Sequence, residues 1–78
     1  MCGIVGFLNL DNKKYSFEPS SVIIQMIKEV KSRGPDFQNY WSDKKKQIFL
    51  GHARLAIIDL NSRSNQPIKS QNGRWTII

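Results

Sequence analysis

The sequence predicts an α+β fold, and three observations carry that expectation. Ile4, Val5, Phe7, Leu8 and Leu10 form a nearly continuous apolar run at the start of the chain. Ile23, Met26, Ile27 and Val30 then recur at i, i+3, i+4 and i+7. A second long apolar run extends from Ile48 to Ile58. Period and length make the outer two runs strands and the middle one a helix with a single buried stripe.

The first run, Gly3 to Leu10, has the pattern of a strand covered on both faces. Gly3 and Gly6 lower its strand propensity and mark close backbone approaches, with a ligand beside Cys2 as one candidate. Asp11-Asn12-Lys13-Lys14 reads as a turn and Tyr15-Ser16-Phe17 as a short extended piece. The helix is expected from Pro19 to about Ser32, with proline in its first turn and Ser20 or Ser21 satisfying free amides. Lys31 and Arg33 suit the negative end of its dipole, and Gly34-Pro35 stops it.

Beyond the Arg33-Gly34-Pro35-Asp36 turn, Gln38 to Trp41 reads as a short strand and Lys44-Lys45-Lys46 as a solvated turn. Ile48 to Ile58 follows as the longer strand, with Gly51 at a bulge or a close approach. Asp59 to Lys69 is polar and irregular, and Pro67 opposes regular structure there. Asn72-Gly73 carries a hairpin signal ahead of a last strand, Trp75 to Ile78. The resulting order is strand, helix, strand, strand, with a further strand at the end. There is no internal repeat, low-complexity tract or linker, and the chain stops inside an expected strand, as a complete domain seldom does.

Length and composition bound the function. Seventy-eight residues make one small domain or part of a larger one. A chain of this size buries only about 60% of its unfolded surface, so an unaided core is marginal. With 40% hydrophobic and 23% charged residues the balance is that of a globular protein. The net charge of +6 invites a nucleic-acid reading, but the lysines are scattered along the chain. Trp41, Trp75, Phe7 and Phe49 also fall within apolar strand patterns, where a nucleic-acid binder would group aromatics with charge on one surface. No stretch is long and apolar enough to span a membrane, and no basic segment followed by an apolar one forms a signal peptide. One Cys and one His, His52, give neither an internal disulfide nor a closed zinc site. Cytoplasmic location without nucleic-acid or membrane partners is expected, and nothing sets an oligomeric state.

Cys2 is the lone cysteine. Removal of Met1, which a small second residue permits, would put a thiol and a free α-amine on one residue. An α-amine titrates at about 7.7–8.0, so its neutral form can serve as a general base near pH 7. One residue would then supply nucleophile and base, as an N-terminal threonine does. From position alone, a chance cysteine near a frayed chain end is the simpler account. Arg54, flanked by Ala53 and Leu55, needs an anionic partner if it points inward, because a buried unpaired guanidinium is costly. Its planar fork matches a carboxylate. The alternatives are that it faces solvent or pairs with Asp36 or Asp59. His52 shares a strand face with Arg54 and is expected to be a hydrogen-bonded structural histidine. As chemistry, Arg33 to Asp36 is only a helix stop and a tight turn.

Three blocks occur together and in order: Met-Cys-Gly-Ile-Val-Gly-Phe at 1–7, Arg-Gly-Pro-Asp at 33–36, and Gly-His-Ala-Arg-Leu-Ala-Ile-Ile-Asp at 51–59. With Gln66-Pro67 they resemble the N-terminal glutaminase domain of class II glutamine amidotransferases, and the Pro35-Asp36 pair is most similar to the asparagine synthetase branch. The sugar-amidating relatives of that branch share the pair, so that aspartate and a sugar both stand as amide acceptors. The resemblance implies an N-terminal-nucleophile hydrolase fold, an αββα sandwich of which residues 1–78 are the opening portion. It also implies that Cys2 attacks the glutamine side-chain amide and that Arg54 grips the α-carboxylate of that substrate. Leu55, Ala56, Ile57 and Ile58 would line the glutamine pocket, and Arg33 and Gly34 would form a supporting turn. No metal or other cofactor is implied for this segment. ATP and magnesium would serve a C-terminal synthetase domain, the expected consumer of the ammonia, which lies outside these residues.

The family's Asn-Gly-Glu segment, which forms the oxyanion hole, follows the strand matching Trp75 to Ile78. Asn72-Gly73 precedes that strand and lacks the acidic residue, so it is not that segment. Loss of an oxyanion donor typically costs about 10²–10³ in rate. Residues 1–78 alone are therefore expected to have little or no glutaminase activity. Two other readings compete: a small basic module binding nucleic acid or an acidic partner, and a noncatalytic relative that retains Met1.

Overall fold

The computed structural model describes residues 2–10, 14–57 and 61–78, and its element order bears out an α+β chain. Strand β1 (Gly3–Leu8) is followed by helix α1 (Pro19–Glu29), then strands β2 (Phe37–Ser42) and β3 (Ile48–Arg54). Short strands β4 (Ile68–Lys69) and β5 (Thr76–Ile77) close the series. The turn expected at 11–14 lies largely outside the described residues, as does Ile58. Tyr15 to Phe17 is not a strand.

The main sheet has the order β1-β3-β2, antiparallel throughout. Gly3 opposes Ala53 and Leu8 opposes Ile48, while on the other side Phe37 opposes Arg54 and Ser42 opposes Phe49. Strand alternation puts Val5, Phe7, Tyr40, Phe49, Gly51 and Ala53 on one face. Helix α1 covers that face. Ile23, Ala53, Phe49 and Ile27 form the buried core, with Met26, Val30 and Tyr15 packed against it. The rings of Phe7 and Phe49 stack at 5.0 Å, and Tyr15 meets Phe7 edge-on at 6.0 Å.

Gly51 is not a bulge, because its register is regular on both sides. A Cβ there would come within 2.8 Å of the Ile27 side chain and 2.9 Å of Val5. The close approach is by the helix. Gly3 answers to the same pressure: a Cβ there would lie 2.9 Å from the Val30 Cβ.

Several expected boundaries move for identifiable reasons. Glu18 caps helix α1 from just before Pro19: its carboxylate accepts from Ser20 N and Ser20 Oγ, so glutamate rather than serine is the cap. Regular α-helix ends at Glu29, and Lys31–Arg33 tighten into a 3-10 turn as the Arg33 amide donates to the Val30 carbonyl. The first run was expected to be covered on both faces, yet Ile4 and Leu8 are 60% and 55% exposed on the face away from α1. β3 ends at Arg54, four residues early. Beyond it the amides of Leu55 and Ala56 donate to side chains, Cys2 Sγ and Asp36 Oδ2, so no ladder continues.

The Asn-Gly hairpin is present: Gly73 has φ of 72°, and the Ser70 amide donates to the Trp75 carbonyl at 2.9 Å. Its last strand is two residues instead of four, and Trp75 is 61% exposed with the Arg74 guanidinium 5.2 Å above its ring. The lysine turn is as expected, with Asp43 Oδ1 accepting from Gln47 N and Ile48 N. Within 59–69, read as irregular, Ser62–Ser64 form a 3-10 turn and Ile68–Lys69 pair with β5.

Candidate active site

The site forms where the start of β1 meets the end of β3. Gly3 pairs with Ala53, so extending the register one step sets Cys2 opposite Arg54. The Leu55 amide donates to Cys2 Sγ at 3.2 Å, and the sulfur also lies 3.8 Å from the Leu55 carbonyl. The thiol itself is exposed. It opens on a cleft of about 310 Å³ lined by Cys2, Gly3, Ile4, Val30 and Arg33. Arg33 reaches this cleft because the 3-10 turn carries the chain from α1 back toward the sheet.

The Arg33-Gly34-Pro35-Asp36 turn does more than stop a helix. Gly34 lies against the Ala53 carbonyl so closely that any Cβ would collide with it. That contact seats the turn on the end of β3. The Asp36 amide then donates to the Arg54 carbonyl at 3.0 Å, and Asp36 Oδ2 accepts from Ala56 N at 2.8 Å. Gln38 Nε2 donates to the Gly34 carbonyl at 2.8 Å, fixing the turn from β2. Asp36 therefore holds the backbone on both sides of Leu55. The sequence suggested it only as a partner for the Arg54 side chain.

Arg54 points inward on the sheet face away from α1 and is 7% exposed. Nη1 donates to the Asn61 carbonyl at 3.0 Å and to Asn65 Oδ1 at 2.7 Å. The solvent-facing alternative is overturned. Asp59, the other proposed partner, lies outside the described residues. Asn61 and Asn65 carried no signal in the sequence, since a polar loop seven to eleven residues on reveals its contacts only after folding.

His52 is buried beside Arg54 on the same face, 4% exposed, but Nδ1 has no hydrogen-bond partner. The expected structural hydrogen bond is thus not made there. Burial first, and the positive charge of Arg54 second, lower the imidazole pKa and keep it neutral. Of the expected pocket-lining residues, Leu55 and Ala56 are half-buried, and of the two the Leu55 backbone contacts Cys2 Sγ. Ile57 is 74% exposed, and Ile58 lies outside the described residues. No helix of the described residues is long and apolar enough to cross a membrane.

The chain is similar to known proteins along its whole length. The family described as "Glutamine amidotransferase domain" matches residues 1–78. A putative glutamine-hydrolyzing asparagine synthetase of Methanocaldococcus jannaschii is 39% identical over 70 residues, covering 87% of this chain and 13% of that protein. A glutamine-hydrolyzing asparagine synthetase of Bacillus subtilis is 32% identical over 78 residues, covering 100% of this chain and 12% of that protein. A Gibberella zeae protein named amidase chry2 is 32% identical over 80 residues, with 94% and 12% covered. The chain thus spans about an eighth of the length of these relatives. No solved structure matches.

Proposed function

Since the chain belongs to the glutamine amidotransferase domain family, we propose that it is the opening portion of a glutaminase domain whose nucleophile is Cys2. The observation that carries this reading is the Cys2 sulfur held 3.2 Å from the Leu55 amide, next to the inward-pointing Arg54. By strand register, Cys2 and Arg54 take facing backbone positions at one end of the sheet, which supports this reading. Glutamine is the substrate: its α-carboxylate meets the Arg54 guanidinium and its side-chain amide carbon meets Cys2 Sγ.

The chemistry follows from these groups. Once Met1 is removed, the free α-amine of Cys2 takes the thiol proton as sulfur attacks the amide carbon. The C–N bond breaks, the proton passes to the leaving nitrogen, and ammonia departs from a γ-glutamyl thioester. Water then cleaves the thioester to glutamate and restores the thiol. Asn72 sits in the hairpin turn, where its Oδ1 accepts from Ser70 Oγ and Arg74 N.

In this reading the three-stranded sheet and α1 are one half of an N-terminal-nucleophile sandwich, and the bare face bearing Ile4 and Leu8 is an inner one. The ammonia passes to an ATP- and magnesium-dependent synthetase domain acting on aspartate, in the cytoplasm. The names of two relatives support that acceptor. Among the described residues no group of three or more His, Cys, Asp or Glu could hold a cation.

An electrophilic glutamine analogue should alkylate Cys2 of the intact protein, with loss of labelling in Cys2→Ala and marked weakening in Arg54→Ala. Intact mass should show Met1 removed. A mature protein that retains Met1, or equal labelling of Arg54→Ala, overturns the mechanism.

A further inference from the structure

Arg54 is held by a loop that sequence alone leaves featureless. Its Nη1 donates to the Asn61 carbonyl at 3.0 Å and to Asn65 Oδ1 at 2.7 Å, while the residue as a whole is 7% exposed. The two differ in kind. The Asn61 oxygen belongs to the backbone and is indifferent to substitution, whereas the Asn65 oxygen is a side-chain acceptor set by residue identity. We propose that Asn65 is a positioning residue for the carboxylate-binding arginine and sets its preference for a substrate bearing a free α-carboxylate.

This rests on Arg54 gripping the glutamine α-carboxylate. The physical argument is one of charge and orientation. A guanidinium recognises a carboxylate through a planar fork, so rotation of that plane loses one of two parallel hydrogen bonds. The 2.7 Å bond from Nη1 fixes the plane from the side of the 61–65 loop. Asn65 does this with a neutral amide oxygen and adds no negative charge beside the guanidinium. Aspartate has the same shape and would make the same bond more strongly. It would also place an anion beside the guanidinium, in competition with the substrate carboxylate and repelling it. A loop residue needed only for stability would tolerate aspartate there. A residue tuning Arg54 would not.

The test compares kcat/KM for glutamine with kcat/KM for its α-carboxamide analogue, which lacks the carboxylate, in the intact protein. The ratio is unaffected by the fraction of folded enzyme, so a poorly folding variant still reports. In Asn65→Asp the ratio should fall about tenfold, the scale of one charged hydrogen bond replaced by repulsion. In Asn65→Ala it should fall less, about threefold, because the guanidinium loses one tether and gains no competitor. Arg54→Ala should abolish the preference. If Arg54→Ala lowers the ratio while Asn65→Asp or Asn65→Ala leaves it at the wild-type value, the role of Asn65 is overturned and that of Arg54 stands. If Arg54→Ala leaves the ratio unchanged, the carboxylate reading itself falls, and the role of Asn65 with it.

Discussion

The backbone amide of Leu55 donates to the Cys2 sulfur across 53 positions of sequence, at 3.2 Å. This one bond ties the proposed nucleophile to the residue after Arg54, at the point where β3 ends. It is a main-chain contact, so the Leu55 side chain is not what holds the thiol. Leu55→Ala should leave alkylation of Cys2 by a glutamine analogue within about threefold of wild type, as for changes away from a key contact. Cys2→Ala should lower glutamine hydrolysis by more than about 10³-fold, the scale of removing a covalent nucleophile. Ammonia release measured on both variants checks the pair, and a large loss in Leu55→Ala would give the pocket-lining role to its side chain.

Arg54 separates charge from geometry. Lysine keeps the charge but not the planar fork, so Arg54→Lys should raise the KM for glutamine about tenfold with a smaller change in kcat. Steady-state kinetics over a wide range of glutamine reads this directly. A wild-type KM in the lysine variant would mean that a point charge suffices.

Gly34→Ala forces a methyl group into the Ala53 carbonyl. Neither the turn nor β3 can yield without breaking the Asp36–Arg54 and Asp36–Ala56 hydrogen bonds. Overpacking of this kind typically costs about 1–3 kcal/mol. Thermal melting should show a lower Tm, and labelling of Cys2 should fall with it because the same bonds hold residues 54–56. An unchanged Tm would mean the turn is not clamped.

His52 predicts an acid limb. Its folded pKa lies below the ordinary value of about 6.5, because burial and the Arg54 charge disfavour the imidazolium. At pH between the two values the unfolded chain binds more protons than the folded one, so stability rises with pH there. The contribution is complete above about pH 6.5 and is lost as pH falls toward the folded pKa. In His52→Gln the melting temperature should depend less on pH below 6.5. An identical slope in that variant would assign the acid limb to other groups.

The apolar periodicities were legible from the chain alone, because they report which side chains must leave water whatever their final partners. They placed the helix that begins at Pro19, with its Ile23–Ile27 stripe, and the strand that begins at Ile48, though both end earlier than expected; the Asn72-Gly73 dipeptide marked the turn. Cys2, Arg54 and the 33–36 turn were legible as members of three motif blocks that occur in order. The family resemblance gathered them into one site, while composition and spacing alone could not, since the grouping depends on a register, Gly3 against Ala53, that no local pattern encodes. Tertiary structure also decided that β3 stops at Arg54, because the donors of Leu55 and Ala56 go to Cys2 and Asp36 rather than to a neighbouring strand. It alone brought Asn65 onto the guanidinium and left His52 Nδ1 without a partner. Burial follows from each residue's own chemistry and can be read one position at a time. Hydrogen-bond partners drawn from distant segments exist only once the chain has closed on itself.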